Sequence, residues 1–149
     1  YRLISIPDTR FYHCNIKTLN LIPNVMAAQQ ASEAGCNETV FVRDGYVTEC
    51  SHSNISMVKD GVFITHPLDN LILPGTERKH IIRWCGELGI PVKERAFTLE
   101  ELYTADEILV TSTSHPSMRA MELNQKAVGM KNPELIQKLR DKYLNEIGK

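Results

Sequence analysis

Two Asp-Gly pairs constrain this chain more than any other feature. The segments "TVFVRDGYVTE" (39–49) and "ISMVKDGVFIT" (55–65) each set β-branched and apolar runs on both sides of a dipeptide that accepts the positive φ angles of a two-residue hairpin turn. Thr39 to Val42 should therefore pair with Tyr46 to Glu49, and Ile55 to Val58 with Val62 to Thr65. Antiparallel sheet is the expected centre of the fold.

The flanks read as mixed structure. "RLISI" (2–6) predicts a strand, stopped by Pro7 and Asp8. "PNVMAAQQASEAG" (23–35) predicts a helix with Pro23 in its first turn, Ala27, Ala31 and Ala34 on one stripe, and Gly35 closing it. A second helix should begin after "LPG" with Thr76 as its cap, bury Ile81, Ile82, Trp84, Cys85 and Leu88, and stop at Gly89. "PVKERAF" (91–97) and "DEILVTST" (106–113) predict strands, and "NPELIQKLRDKYLNEIG" (132–148) an amphipathic helix opened by Asn132 and Pro133. Strands and helices without regular βαβ alternation give an α+β fold class.

Composition narrows the partners. The 149 residues, 42% of them hydrophobic, suit one domain with a real core. Seventeen basic against eighteen acidic residues, with no block of one sign, provide no footprint for nucleic acid or an anionic membrane, so a small molecule or another protein is expected. No apolar run approaches the roughly 18 residues that span a bilayer, and "YRLISIPDTR" lacks the plan of a signal peptide, which points to the cytoplasm. Cys14, Cys36, Cys50 and Cys85 form no C-x-x-C pair and read as free, buried thiols. The first residue is not methionine and starts in a strand, as in a piece of a longer protein.

Four features can carry chemistry. Lys17 stands in "CNIKTLN" a few residues before a helix, where a desolvated amine would be a nucleophile able to form a Schiff base with a carbonyl; its neighbours alone fit a surface lysine as well. Glu49 ends a strand in "VTECSHSN", where a carboxylate could pair with a cationic ring nitrogen and Ser51, Ser53 and Asn54 orient it, or where a polar turn simply links two hairpins. "ILPGTER" (72–78) runs into a helix whose free amides, with a glycine and a threonine hydroxyl, suit a phosphate. "VTSTS" (110–114) ends a strand in hydroxyls, among which Thr113 or Ser112 could add phosphate donors or only solvate the strand end. Two other combinations carry less: His13-Cys14 with Cys50-x-His52 has no usual zinc spacing, so no metal site is expected, and Ser51-His52 lacks a nucleophile elbow.

Taken in order, "CNIKTLN", a glutamate 32 positions after its lysine in "VTECSHSN", "THPLDNLILPG" and the strand end "VTST" resemble the fold-type IV pyridoxal-phosphate enzymes, most closely the D-amino-acid aminotransferases among them. The resemblance covers Thr9 to Ser114 and continues loosely to the last helix. It implies a mixed, largely antiparallel sheet, a pseudo-barrel with surrounding helices, forming the cofactor-holding C-terminal domain over residues 1–149, with the family's smaller N-terminal domain absent. It also implies pyridoxal phosphate as cofactor, amino and 2-oxo acids as substrates, and a homodimer.

By the same resemblance Lys17 would carry the cofactor and shuttle the proton between the substrate's alpha carbon and the cofactor's C4′ carbon. Glu49 would keep the pyridine nitrogen protonated, Leu73 would pack on the ring, and Ser53 and Asn54 would line the pocket with Ser51. Gly75, Thr76, Glu77 and Thr113 would hold the phosphate. The implied reaction moves an amino group between a D-amino acid and a 2-oxo acid. 4-Amino-4-deoxychorismate lyases and branched-chain aminotransferases share the scaffold, and a non-catalytic remnant would keep it as well.

Four positions depart from the family pattern. Cys50 and His52 replace a glycine and a serine, and Gly75-Thr76-Glu77-Arg78 replaces the usual G-I-T-R. A Glu77 carboxylate would repel a phosphate dianion unless its side chain pointed to solvent, and weaker cofactor binding is expected. The absent domain normally adds an arginine to the phosphate and, across the dimer, the groups that hold the substrate carboxylate, so the isolated chain should have at most weak activity.

Overall fold

The computed structural model describes residues 1–115 and 117–146. Both Asp-Gly pairs turn hairpins, with φ of 53° and 83° at Asp44 and Gly45 and of 50° and 74° at Asp60 and Gly61. They join β2 (Glu38–Arg43) to β3 (Tyr46–Cys50) and β4 (Asn54–Lys59) to β5 (Val62–Thr65), each pair antiparallel. The hairpins lie in two different sheets, because the turn at 51–53 carries the chain from one to the other.

The first sheet has six strands. β1 (Arg2–Pro7) pairs parallel with β2 on one side and with β10 (Glu122–Leu123) on the other, β11 (Lys126–Ala127) extends that edge, and β7 (Phe97–Thr98) pairs with β3 at the opposite edge. The second sheet runs β6-β5-β4-β8-β9, adding β6 (Val92–Glu94), β8 (Glu107–Thr111) and β9 (Met118–Arg119). Most pairings are antiparallel, β5–β6 being the remaining parallel one.

One apolar cluster joins the facing sides of the sheets through Leu3, Val40, Val47, Met57, Ile108 and Val110. On the outside of the first sheet lies α1 (Ile22–Glu33), whose Ala27 carbonyl accepts a hydrogen bond from the Thr39 hydroxyl at 2.7 Å. On the outside of the second lie α2 (Thr76–Glu87) and α4 (Pro133–Glu146), where Ile81, Trp84, Cys85, Leu135 and Leu139 cover Val58, Phe63 and Leu109. Strands covered on both faces need apolar residues at consecutive positions, which explains runs such as "TVFV" and "EILV".

Several expectations are corrected. Ala34 is exposed at the end of α1, and Gly75, not Thr76, is the N-cap of α2. "PVKERAF" is two short strands in different sheets, since the chain crosses between them at Arg95 and Ala96. The strand expected to reach Thr113 ends at Thr111, where Ser112 and His115 exchange backbone hydrogen bonds in a turn. A short helix, α3 (Leu99–Thr104), was not expected although its capping box is written in the sequence: Thr98 Oγ1 accepts from the Glu101 amide, and Glu101 accepts from the Thr98 amide. All four cysteines are free, and Cys36 is only partly buried.

Candidate active site

β3 and β8 end, and β4 and α2 begin, at one edge of the molecule, where the loop from Arg10 to Leu21 leans over them. Together they enclose a cleft of about 400 Å³. Every site residue expected from the sequence lines it: Lys17 from the loop, Glu49 from β3, Ser53 and Asn54 at the start of β4, Leu73, Gly75, Thr76 and Glu77 at the entry to α2, and Thr113 beyond β8.

Glu49 is buried and fully engaged. Its Oε1 contacts Arg10 Nη1, and its Oε2 accepts from the Leu73 amide at 2.9 Å and from Asn54 Nδ2 at 3.1 Å. Burial pushes its carboxyl up to about 7, against the opposing pull of the Arg10 guanidinium and the Leu73 amide. Arg10 is buried too. It stacks 4.3 Å from the centre of the Phe41 ring and donates to Asp8, to Thr48 Oγ1 and to the Leu71 carbonyl. Neither Arg10 nor Asp8 stood out as a site residue in the sequence, because an aspartate and an arginine beside a proline read as an ordinary polar turn.

A second buried carboxylate shapes the turn at 51–53. Glu38 accepts from the Ser51 hydroxyl, from the Ser53 hydroxyl at 3.1 Å and from the Thr39 amide at 2.9 Å, and His52 Nδ1 lies 3.0 Å from its Oε2. Ser53 lines the cleft with its hydroxyl already committed. Among the described residues no three His, Cys, Asp or Glu side chains gather as metal ligands.

At the start of α2 the local geometry is tight. Gly75 takes an extended conformation at φ −65°, open to any residue, yet a Cβ there would overlap Asn54 Oδ1. Asn54 cannot swing away without losing its bonds to Glu49 and to the Leu73 carbonyl. Gly75→Ala should therefore cost roughly 1–3 kcal/mol, as overpacked sites do, and lower the urea midpoint accordingly. An unchanged midpoint would mean that Asn54 is not held in place.

No side chain caps α2, so its first amides remain open to the cleft. Arg78 is turned away and ties the helix to β5 and β6 through Thr65 Oγ1, the His66 carbonyl and Glu94. The Glu77 side chain does not escape to solvent, the condition under which repulsion of a phosphate would be avoided: the residue is 8% exposed, and Oε2 has no hydrogen-bond partner. Thr111 Oγ1 is likewise buried without a partner and also lines the cleft. Thr111 was missed because it reads as an ordinary strand residue, whereas the expected Thr113 lies in the exposed turn.

Lys17 is exposed, as are Ile16 and Leu19, the latter at 97%. The company that looked apolar in sequence is thus surface. Asn70 fastens the loop by donating from Nδ2 to the Tyr12 carbonyl at 2.8 Å while its own carbonyl accepts from the Cys14 amide at 2.9 Å.

These groups fit a phosphate-bearing ring. A carboxylate at one end, an apolar Leu73 beside it, open helix amides with the unsatisfied Thr111 hydroxyl at the other, and an amine on the covering loop suit such a molecule, and the Glu77 carboxylate is the group that does not. The family model Amino-transferase class IV matches residues 3–123, and the chain belongs to that family.

The D-alanine aminotransferase of Listeria monocytogenes serotype 4b (strain F2365) is 42% identical over 97% of this chain and 50% of its own length. Among solved structures, a putative 4-amino-4-deoxychorismate lyase from Legionella pneumophila superposes with a TM-score of 0.88 at 26% identity, over 97% of this chain and 55% of that one. The branched-chain amino acid aminotransferase from Thermobaculum terrenum, in its PLP form, gives 0.85 at 25% identity, over 95% and 49%. The chain spans about half the length of the curated relatives it matches.

Proposed function

We propose that this chain is the lysine-bearing, cofactor-holding domain of a pyridoxal-phosphate-dependent aminotransferase that exchanges an amino group between a D-amino acid and a 2-oxo acid. The observation that carries this reading is the convergence of Lys17, Glu49 and the open start of α2 on one cleft. The preference for a D-amino acid rests on the similarity to D-alanine aminotransferases, at 42% identity against 26% for the lyase. That lyase remains the second reading, because its superposition is as complete.

Pyridoxal phosphate, when bound, supplies an electrophilic carbonyl and a ring that accepts the electron pair released as the substrate's alpha C–H bond breaks. The chain's residues do the rest. Glu49 would sit against the ring nitrogen and keep a proton there, and burial raises its carboxyl to about 7. Arg10, Asn54 and the Leu73 amide fix the orientation of the Glu49 carboxyl. Leu73 would pack on the ring, and the amides of Thr76 and Glu77, with the Thr111 and Thr113 hydroxyls, would hold the phosphate. Lys17 contributes an amine that takes and returns the alpha proton.

Exposed Phe11, Tyr12, Ile16, Leu19, Ile22 and Val25 around Lys17 form an apolar rim suited to being covered in a homodimer, by the half of the relatives that this chain does not span. Such a cover would desolvate Lys17. Among the described residues no helix is long and apolar enough to cross a membrane. Mixing the chain with pyridoxal phosphate should produce a new visible absorption band, with weak turnover of D-alanine and 2-oxoglutarate. No band at any cofactor concentration would overturn the reading, and release of pyruvate from 4-amino-4-deoxychorismate would favour the lyase.

A further inference from the structure

Glu77 stands where the phosphate-binding turn would ordinarily present a hydroxyl, and it is the one group in the cleft whose charge opposes the ligand. The residue lines the cleft at the uncapped start of α2, yet it is 8% exposed and its Oε2 has no hydrogen-bond partner. A buried carboxylate without a donor is costly, whereas a carboxylic acid there becomes a donor itself. Burial pushes the Glu77 carboxyl above the usual range, and His80 one turn along the helix pulls it only partly back.

Resting on the reading of the cleft as a phosphate-bearing cofactor site, we propose that the cup at the start of α2 binds phosphate monoester together with a proton held on Glu77, so that cofactor affinity falls as pH rises. Protonated, Glu77 donates from its hydroxyl to a phosphate oxygen beside the Thr111 hydroxyl, and both orphaned atoms gain partners. Ionised, it has nothing to donate and repels a dianion. The other charged or titratable groups around the cleft are Lys17 from the loop, the Glu49–Arg10 pair on the β3 side, Cys14 and Cys50, and His52 from the 51–53 turn. Glu49 is bound to Arg10, and His52 Nδ1 to Ser51 and Glu38, so neither meets Glu77 directly. Lys17 is the nearest rival, since its ammonium would stabilise an ionised Glu77.

The test uses pyridoxamine 5′-phosphate, which lacks the aldehyde and cannot react with Lys17, titrated into the 149-residue chain and into Glu77→Gln between about pH 5.5 and about pH 8.5. The ligand's own second phosphate ionisation, near pH 6, is common to both proteins and cancels in the ratio of their dissociation constants. That ratio, wild type over variant, should be close to one at the acid end and rise to about tenfold or more by about pH 8, since one proton taken up on binding changes affinity up to tenfold per pH unit. Pyridoxamine, without phosphate, should show no such rise. Calorimetry in two buffers of different ionisation enthalpy should report proton uptake by wild type in excess of Glu77→Gln.

A ratio that stays flat while both proteins bind would overturn the shared proton and leave the cofactor reading standing. Weaker binding by Glu77→Gln at every pH would also overturn it, showing an ionised Glu77 held by Lys17. Failure of both proteins to bind at any pH would overturn the proposal and the reading together.

Discussion

Lys17→Ala is expected to remove the visible absorption band that the chain gives with pyridoxal phosphate, while changing stability by no more than about 0.5 kcal/mol, as exposed substitutions do. Lys17 is on the surface of its loop, so the fold does not depend on it. Lys17→Arg should lose the band as well: the guanidinium keeps the positive charge but does not shed its proton to become a nucleophile. The two variants together separate an amine that reacts from a cation that merely attracts phosphate. Borohydride reduction followed by peptide mass analysis should find the phosphopyridoxyl group on the peptide containing Lys17. In the full-length partnered enzyme, loss of a general acid–base of this kind should slow alpha-proton exchange by roughly 10²–10⁴-fold. A band that survives in Lys17→Ala would put the covalent role on another amine.

The sequence was most legible where local chemistry and tertiary structure agree. "RDG" and "KDG" force their turns whatever surrounds them, and α4 follows from one apolar stripe behind Asn132 and Pro133. It was least legible where pairing alone creates an element. β9 and β10 are two residues long and exist because the longer β8 and β1 offer them free edges, and β11 in turn pairs with β10, a condition no local pattern encodes. The split of "PVKERAF" has the same origin, since β5 and β3 each claim half of a continuous run.

For the site, spacing along the chain succeeded where environment failed. The nine expected residues share one cleft because their motifs sit at the ends of strands that the hairpins bring to a single edge. What surrounds each of them was hidden. The sequence leaves open whether Glu77 turns outward, and it is buried; Lys17, whose neighbours fit a surface lysine, is exposed. Burial is a property of what other segments pack against a side chain, which no local pattern encodes.

Arg10→Ala should be the most destabilising change at the site, costing roughly 3–5 kcal/mol, because it strips the counter-charge from two carboxylates that remain buried. The Asp8 side chain is 0% exposed and Glu49 nearly as enclosed. Of the two, only Asp8 keeps another cationic partner, Arg43 at 3.1 Å. Burial by itself would raise the Asp8 carboxyl, but hydrogen bonds and charge from Arg10 hold it at about 2, below its ordinary 3.8. A depressed acid contributes stability above its unfolded pKa and loses it as pH falls through the folded one. That contribution is about 2 kcal/mol near neutrality, lost between about pH 4 and pH 2. Without Arg10 the Asp8 carboxyl should rise, so urea midpoints of Arg10→Ala should begin their acid decline at higher pH than wild type.

Glu49 behaves in the opposite sense. Its carboxyl is already raised to about 7, so its protonation favours the fold below the ordinary carboxylate range, and that benefit fades as pH climbs through 7. Losing the Arg10 guanidinium should push it higher still, and Arg10→Ala should therefore lose most stability, relative to wild type, on the alkaline side of neutrality. Arg10→Lys should recover only part of the loss, since one ammonium cannot span Asp8, Glu49, Thr48 and the Leu71 carbonyl as the planar fork does. Replacing all three charges together, as Asp8→Asn, Arg10→Met and Glu49→Gln, should be far milder than Arg10→Ala alone, because no buried charge is then left unpaired. Urea unfolding of the single and triple variants across pH decides the matter. An Arg10→Ala loss below about 1 kcal/mol, the scale of an exposed pair, would show that the guanidinium is not what holds Glu49 in place.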